Sequence, residues 1–192
     1  MNKYLILPLL FLSISSFGQE NWETSLKAGM NCSFFTTSNS KILVGGTAGL
    51  EQIYNFDNSI FSAQSGFEFE NIGTEITSYK IVIGNTNPSN GTFSRSNANY
   101  LSVPFHLRCK IKEHWGAMAG AAYRFGLTDQ QSGYNKSNDD ICLDAGIFYT
   151  MNKVRFNLIY QHGLNETNFG TQMVQSKNRT ISFSVSVPFW NK

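Results

Sequence analysis

Three residue types that hydrolases use for nucleophilic catalysis occur in this 192-residue chain: histidine, serine and glutamate. His162, Ser65 and Glu166 would supply the base, the nucleophile and the orienting acid of an enzyme acting on lipids. Ser65 lies far from the other two along the chain, and no sequence pattern brings the three together. We therefore expect no enzymatic activity and no catalytic residue, and we keep a lipid-modifying membrane enzyme as an alternative.

Residues that could hold a metal ion or a phosphate are arranged without a recognisable motif. The three cysteines, Cys32, Cys109 and Cys142, are odd in number and widely spaced, which fits neither a disulfide framework nor a metal site. The glycine-rich stretch 45–49 lacks the Lys-Ser/Thr ending of a phosphate-binding loop. The sequence therefore predicts no metal ion and no cofactor.

A larger set of ionisable residues shares one face of segments in which polar and apolar residues alternate. The set has five acidic residues, five basic residues and one histidine: Glu23, Lys27, Glu51, Glu68, Glu70, His106, Arg108, Lys110, Arg124, Asp144 and Arg155. Buried charges are tolerated when they are paired. The equal numbers of acidic and basic residues therefore predict that these side chains pair with one another and fill the interior, and the eleven residues are called the polar plug below. An ion-selective pore would carry one predominant sign of charge, and a narrow passive pore remains the second alternative.

The elements that position these residues are β-strands, because side chains on alternate positions of a strand point to opposite faces. The alternation predicts eight strands near residues 22–34, 43–56, 59–71, 99–111, 115–127, 141–151, 154–164 and 180–190. Each is long enough to cross a membrane as a tilted strand of roughly 9–11 residues.

The connections between the predicted strands alternate in length along the chain. Tight turns at 57–58, 112–114 and 152–153 alternate with longer links at 35–42, 72–98, 128–140 and 165–179. This alternation is typical of outer-membrane barrels, which have short periplasmic turns and long external loops. Residues 74–84 alternate weakly, and we place them outside the membrane as part of an external hairpin. We predict an eight-stranded antiparallel transmembrane β-barrel with up-and-down meander topology.

The apolar face of the strands indicates which side of the barrel meets lipid. A soluble lipocalin-like barrel would turn this face inward, but the many aromatic rings on it would overfill an eight-stranded interior. The polar face is rich in glycine, which suits a crowded lumen. We therefore predict lipid contacts for one set of side chains: Leu101, Val103, Phe105, Leu107, Phe183, Val185, Val187 and Phe189. Arginine at position 103 should then impair insertion more than arginine at position 102.

The amino-acid composition and the N-terminal segment agree with a location in the outer membrane. Charged residues make up 15% of the chain, compared with about 25% in ordinary soluble domains. The net charge of +2, without a basic stripe, gives no reason to expect nucleic acid binding. Residues 1–18 have the charged start, short apolar stretch and small-residue ending of a cleaved signal peptide, leaving 19–192 as the barrel domain.

Three stretches resemble the PorT-like outer-membrane β-barrel family of Bacteroidetes: 48–70 (AGLEQIYNFDNSIFSAQSGFEFE), 100–111 (YLSVPFHLRCKI) and 178–189 (NRTISFSVSVPF). The resemblance covers essentially the whole mature chain and concerns strand patterns, so it implies architecture more than activity. The last stretch is similar to the signal read by the barrel-assembly machinery, which implies that machinery as a partner during insertion. The family's namesake is an accessory factor of protein secretion and gliding.

These observations together predict an integral protein of the Gram-negative outer membrane, exported by its signal peptide and surrounded by outer-membrane lipid. Its role would be structural, binding or secretion- and assembly-accessory, with other envelope proteins contacting the external loops. The sequence indicates no specific ligand or substrate.

Overall fold

The computed structural model describes residues 21–35, 40–76, 80–81, 89–90, 94–127, 139–169 and 174–191. The predicted signal peptide, 1–18, lies outside these ranges. Ten strands occur among the described residues: β1 (Trp22–Phe35), β2 (Ser40–Asn55), β3 (Phe61–Ile76), β4 (Lys80–Ile81), β5 (Ser89–Asn90), β6 (Ser94–Lys110), β7 (Trp115–Gly126), β8 (Asp140–Met151), β9 (Val154–Phe169) and β10 (Val174–Asn191). Among the described residues, no helix is long and apolar enough to cross a membrane.

Eight of these strands close into a barrel, and the short β4 and β5 pair with each other in a separate two-stranded sheet. The barrel order is β1-β10-β9-β8-β7-β6-β3-β2, and every neighbouring pair is antiparallel. Chain neighbours are therefore sheet neighbours, except where β4 and β5 intervene between β3 and β6. The predicted eight-stranded antiparallel barrel with meander topology is confirmed.

Tight turns gather at one end of the barrel, called the turn end below; the opposite end is the loop end. Asn152 and Lys153 join β8 to β9 with φ angles of 49° and 72°. Positive φ at both central residues is the geometry of the two-residue hairpin turns that match the twist of the flanking strands. Asn58, between β2 and β3, also has a positive φ of 53°, and asparagine tolerates this conformation better than most residues.

Several strands continue further toward the loop end than predicted. The prediction ended β3 at residue 71 and began β6 at 99, whereas the pairing of these two strands extends to Ile76 and Ser94. Strands β2, β9 and β10 are longer at the same end. Water meets both faces of a strand beyond the membrane, so the alternation of polar and apolar residues that locates strands weakens there. Residues 74–76 extend β3, and β4 lies outside the barrel.

The two faces of the barrel wall differ sharply in polarity. Along β6, Ser102, His106 and Arg108 are buried in the interior, while the intervening Phe105 and Leu107 are 64% and 53% exposed. The same alternation places serines inward along β10, with Ser184 and Ser186 fully buried. The interior of this barrel is therefore polar, and its exposed outer wall is apolar.

Candidate functional site: the polar interior

Arg155 on β9 is the centre of the charge cluster nearest the turn end. Its guanidinium donates hydrogen bonds to Glu51 on β2 and to Glu23 on β1. The second carboxylate oxygen of Glu51 accepts hydrogen bonds from Gln64 at 3.0 Å and from Ser186 at 3.3 Å. One arginine thus joins carboxylates from two other strands across the interior.

Two further side-chain contacts, one ion pair and one histidine–carboxylate hydrogen bond, lie near the middle of the barrel, and each spans a strand that carries glycine. Lys27 Nζ lies 2.7 Å from Glu68 Oε1, and Gly49 pairs in register with both residues. His106 Nε2 lies 2.8 Å from Asp144 Oδ2 across the strand β7. The intervening strand in each case presents no side chain, so partners two strands apart can meet.

Gly120 is the residue of β7 that lies between His106 and Asp144. A Cβ atom added at Gly120 would lie 2.0 Å from the carbonyl oxygen of Phe105 and 2.9 Å from the imidazole carbon Cδ2 of His106. No side chain fits at this distance without movement of the neighbouring backbone. Glycine at position 120 is therefore required by the close approach of β6.

Arg124 dominates the interior toward the loop end. Its Nε donates to Glu70 Oε2 at 2.7 Å, and its Nη2 donates to the side-chain oxygen of Gln161 at 2.7 Å. Arg124 and Glu70 are 1% and 2% exposed. A charge-assisted pair in such a dry environment fixes the relative positions of β7 and β3, which are separated by β6.

Arg108 differs from the other buried cations because its guanidinium stacks on an aromatic ring. Its guanidinium carbon lies 3.9 Å from the centre of the Phe148 ring, and the residue is 2% exposed. The ring face is the negative part of its charge distribution and attracts the cation. This contact joins β6 to β8 across β7, where Gly116 pairs with Phe148.

The structure places ten of the eleven predicted members of the polar plug in the interior and Lys110 elsewhere. Nine of the ten are buried, and Glu23, at the turn end, is half-buried. Lys110 is exposed where β6 ends, so its assignment to the interior was wrong. Alternation fixes the side of the wall on which a residue lies, but at the last position of a strand either side reaches solvent.

Neutral polar residues lie among the charged ones in the interior, beside a small apolar cluster of Met118, Phe148 and Ile159. These polar residues were not among the predicted members of the polar plug, all of which are ionisable. Gln64 and Gln161 bind charged partners directly, and Asn157 donates to the Ser186 hydroxyl at 3.2 Å. All lie on the same alternating positions as the charged residues. The parity that identified the charges would have identified these side chains as well.

The residues considered for lipid hydrolysis are not assembled. Ser65 is on β3 and His162 is on β9, which are four strands apart in the eight-stranded barrel and therefore on opposite sides of it. The Ser65 hydroxyl donates to the carbonyl oxygen of Pro104 at 2.9 Å. Within the described part of the chain, no group of three or more His, Cys, Asp or Glu residues is placed to hold a metal ion. The three cysteines are free thiols.

Aromatic pairs surround the outer wall close to the strand ends. At the turn end the ring centres of Trp22 and Tyr54 are 5.1 Å apart, and those of Trp115 and Tyr149 are 4.7 Å apart. Tyr123 and Phe125 form a similar pair near the loop end of β7. Such girdles mark the two water interfaces of membrane barrels, and an apolar belt lies between them.

Solved structures with this architecture include Ail, the attachment invasion locus protein of Yersinia pestis, in complex with the heparin analogue sucrose octasulfate. The two chains are 15% identical, with a TM-score of 0.50 over 88% of this chain and 99% of Ail. Neisserial surface protein A is 11% identical, with a TM-score of 0.47 over 86% of this chain and 97% of that protein. At such identities the likeness to Ail is one of fold.

Sequence comparison identifies the family. No curated protein is significantly similar to the chain. Residues 17–187 match the family described as outer membrane protein beta-barrel domain. The match covers most of the chain, and the closed barrel has the polar interior and apolar outer wall that membrane barrels require. The chain belongs to the outer membrane protein beta-barrel domain family and is a β-barrel protein of the Gram-negative outer membrane.

Proposed function

We propose that this protein is a non-conducting, non-enzymatic barrel that serves as a structural, binding or assembly-accessory component of the envelope. The observation that carries the proposal is the paired interior. Glu51, bound to Arg155, and Glu70, bound to Arg124, lie toward opposite ends of the lumen, and the pairs Lys27–Glu68 and His106–Asp144 lie between them. Ions would have to break these contacts in order to pass.

The finer part of the proposal follows the sequence resemblance. A PorT-like protein would be exported by the signal peptide 1–18, inserted by the barrel-assembly machinery and used as an accessory factor of secretion. The long external links of the sequence favour partner contacts there, because loops positioned by a rigid barrel commonly carry binding functions. Crosslinking in intact cells, followed by identification of the captured envelope proteins, tests this part.

Planar-bilayer recording tests the closed lumen. We expect purified full-length protein to give no stepwise conductance under conditions in which a water-filled porin conducts. Reproducible conductance steps from the folded protein would contradict the closed lumen and favour the passive pore.

A lipid-hydrolysis assay on the same preparation tests the absence of enzymatic activity. We expect no release of fatty acid or headgroup from phospholipid vesicles. Activity that the His162→Ala variant loses, with its barrel intact, would favour the lipid-modifying enzyme.

A further inference from the structure

A histidine and an arginine lie side by side on the outer wall of the barrel, where most of the other side chains are apolar. His162 on β9 and Arg179 on β10 are direct cross-strand partners, so their Cβ atoms are roughly 4.5–5.5 Å apart. Each alternates with the inward-facing residues of its strand, Gln161 and Thr180, and each is half-buried. Both side chains therefore lie on the face that meets the membrane.

The length of β10 places Arg179 at the external edge of the hydrocarbon layer. From the exposed Phe189 near the turn end, β10 runs about ten residues to Arg179, which is about 33 Å at a rise of roughly 3.3 Å per residue. Barrel strands tilt by about 40°, so this length spans about 25 Å of membrane, the height of the apolar band.

The length of β9 places His162 at a similar height in the membrane. The turn at Asn152 and Lys153 lies about nine residues before His162, which corresponds to about 30 Å along the strand and about 23 Å of membrane height. Both side chains are thus at the external interface, where lipid headgroups begin.

The described surroundings of Arg179 offer its guanidinium no acidic cross-strand partner on either neighbouring strand. Its other cross-strand partner is Phe34, an apolar side chain. The Nε atom of Arg179 is buried and has no hydrogen-bond partner among the described residues. The next basic residue of β10, Lys177, is the cross-strand partner of Glu166 on β9 and not of His162.

We infer that His162 and Arg179 form a binding site for a phosphate group of an outer-leaflet glycolipid. The planar guanidinium matches the geometry of phosphate oxygens, and an imidazole N–H adds a second donor. Phe34 and Leu143, the cross-strand neighbours on either side, flank the two polar side chains with apolar ones that can contact the lipid.

Native mass spectrometry of the full-length barrel in detergent, titrated with lipid A, tests the inference. We expect the wild-type protein to bind lipid A, and we expect Arg179→Gln to weaken binding about five-fold, because one cation near a membrane surface contributes roughly that factor. Arg179→Lys should retain part of the affinity. The double variant His162→Gln/Arg179→Gln should bind more weakly than either single variant.

Lys112→Gln is the matched control, since Lys112 lies in a turn at the periplasmic end and should bind like the wild type. Heat-dependent gel mobility establishes that each variant is folded before titration. Equal affinity of Arg179→Gln and the wild type would overturn the inference. So would equal affinity for dephosphorylated lipid A, or displacement of bound lipid A by millimolar inorganic phosphate, which would identify a free-phosphate site instead.

Discussion

At the scale of single residues, the interior depends on charges that have lost their hydration and must be neutralised by one another. Arg155 is 6% exposed and binds both Glu51 and Glu23. Removal of either partner from a buried pair leaves an uncompensated charge in a medium that solvates it poorly. The stability of the barrel is therefore expected to fall more when one partner of a pair is replaced than when both partners are replaced.

We predict that Glu51→Ala lowers the free energy of unfolding by about 1–3 kcal/mol, because the Arg155 guanidinium loses its buried carboxylate and keeps only the half-buried Glu23. Unfolding by guanidinium chloride, with the folded fraction read from unheated gels, measures the change in the free energy of unfolding. The double variant Glu51→Leu/Arg155→Met should recover much of the loss, since a buried ion pair can be replaced by apolar groups at little cost. An equal or larger loss in the double variant would show that the pair does not act as a unit.

At the scale of strands, glycine determines which charged residues can meet. Gly49 and Gly120 each lie on a strand between two residues whose side chains bind each other, Lys27 and Glu68 in one case and His106 and Asp144 in the other. Alternation in the sequence predicts that these residues face inward. It does not predict which charges pair, because pairing across an intervening strand depends on the register of three strands.

The close approach of β6 to Gly120 predicts that Gly120→Ala destabilises the barrel by roughly 1–3 kcal/mol, the usual range for an overpacked position. The added Cβ meets backbone atoms of Phe105 and His106, which cannot move aside as a flexible side chain would. Unfolding titration measures the effect.

Gly46→Ala is the control for this substitution. Gly46 is exposed on the outer wall, and the nearest atom to an added Cβ, the carbonyl oxygen of Gly29, is 4.0 Å away. The stability of Gly46→Ala should match or exceed that of the wild type. Similar losses for both alanine variants would mean that backbone freedom, rather than crowding, controls the result.

At the scale of the whole molecule, the membrane determines how far the fold could be predicted. The eight strands and their inward and outward faces were predictable because the hydrocarbon layer requires apolar residues at every second position. The external ends of β3, β6, β9 and β10 were not, because water surrounds them on both sides. Lys110 was misplaced for a related reason, since it lies where the strand leaves the membrane.

Membrane depth also predicts the effect of a charge on the outer wall. Phe105 and Ile111 are 64% and 67% exposed, but Phe105 is within β6 and Ile111 follows its periplasmic end. Phe105→Arg should cost about 2–4 kcal/mol of stability in lipid, whereas Ile111→Arg should cost about 0–1 kcal/mol. Reversible unfolding in phospholipid vesicles compares them. Equal costs would show that the membrane does not cover Phe105 more deeply than Ile111.

The excess length of β6 raises the external rim of the barrel well clear of the bilayer. Its 17 residues extend about 56 Å and, at a tilt of about 40°, rise about 43 Å, against an apolar band of about 25 Å. The paired ends of β3 and β6 thus stand about 18 Å above the hydrocarbon, at the height of the glycolipid sugars. Ile76 and Ser94, from which the longest external segment leaves, lie at the top of this extended pair. A large partner could therefore reach that segment without pressing into the sugar layer.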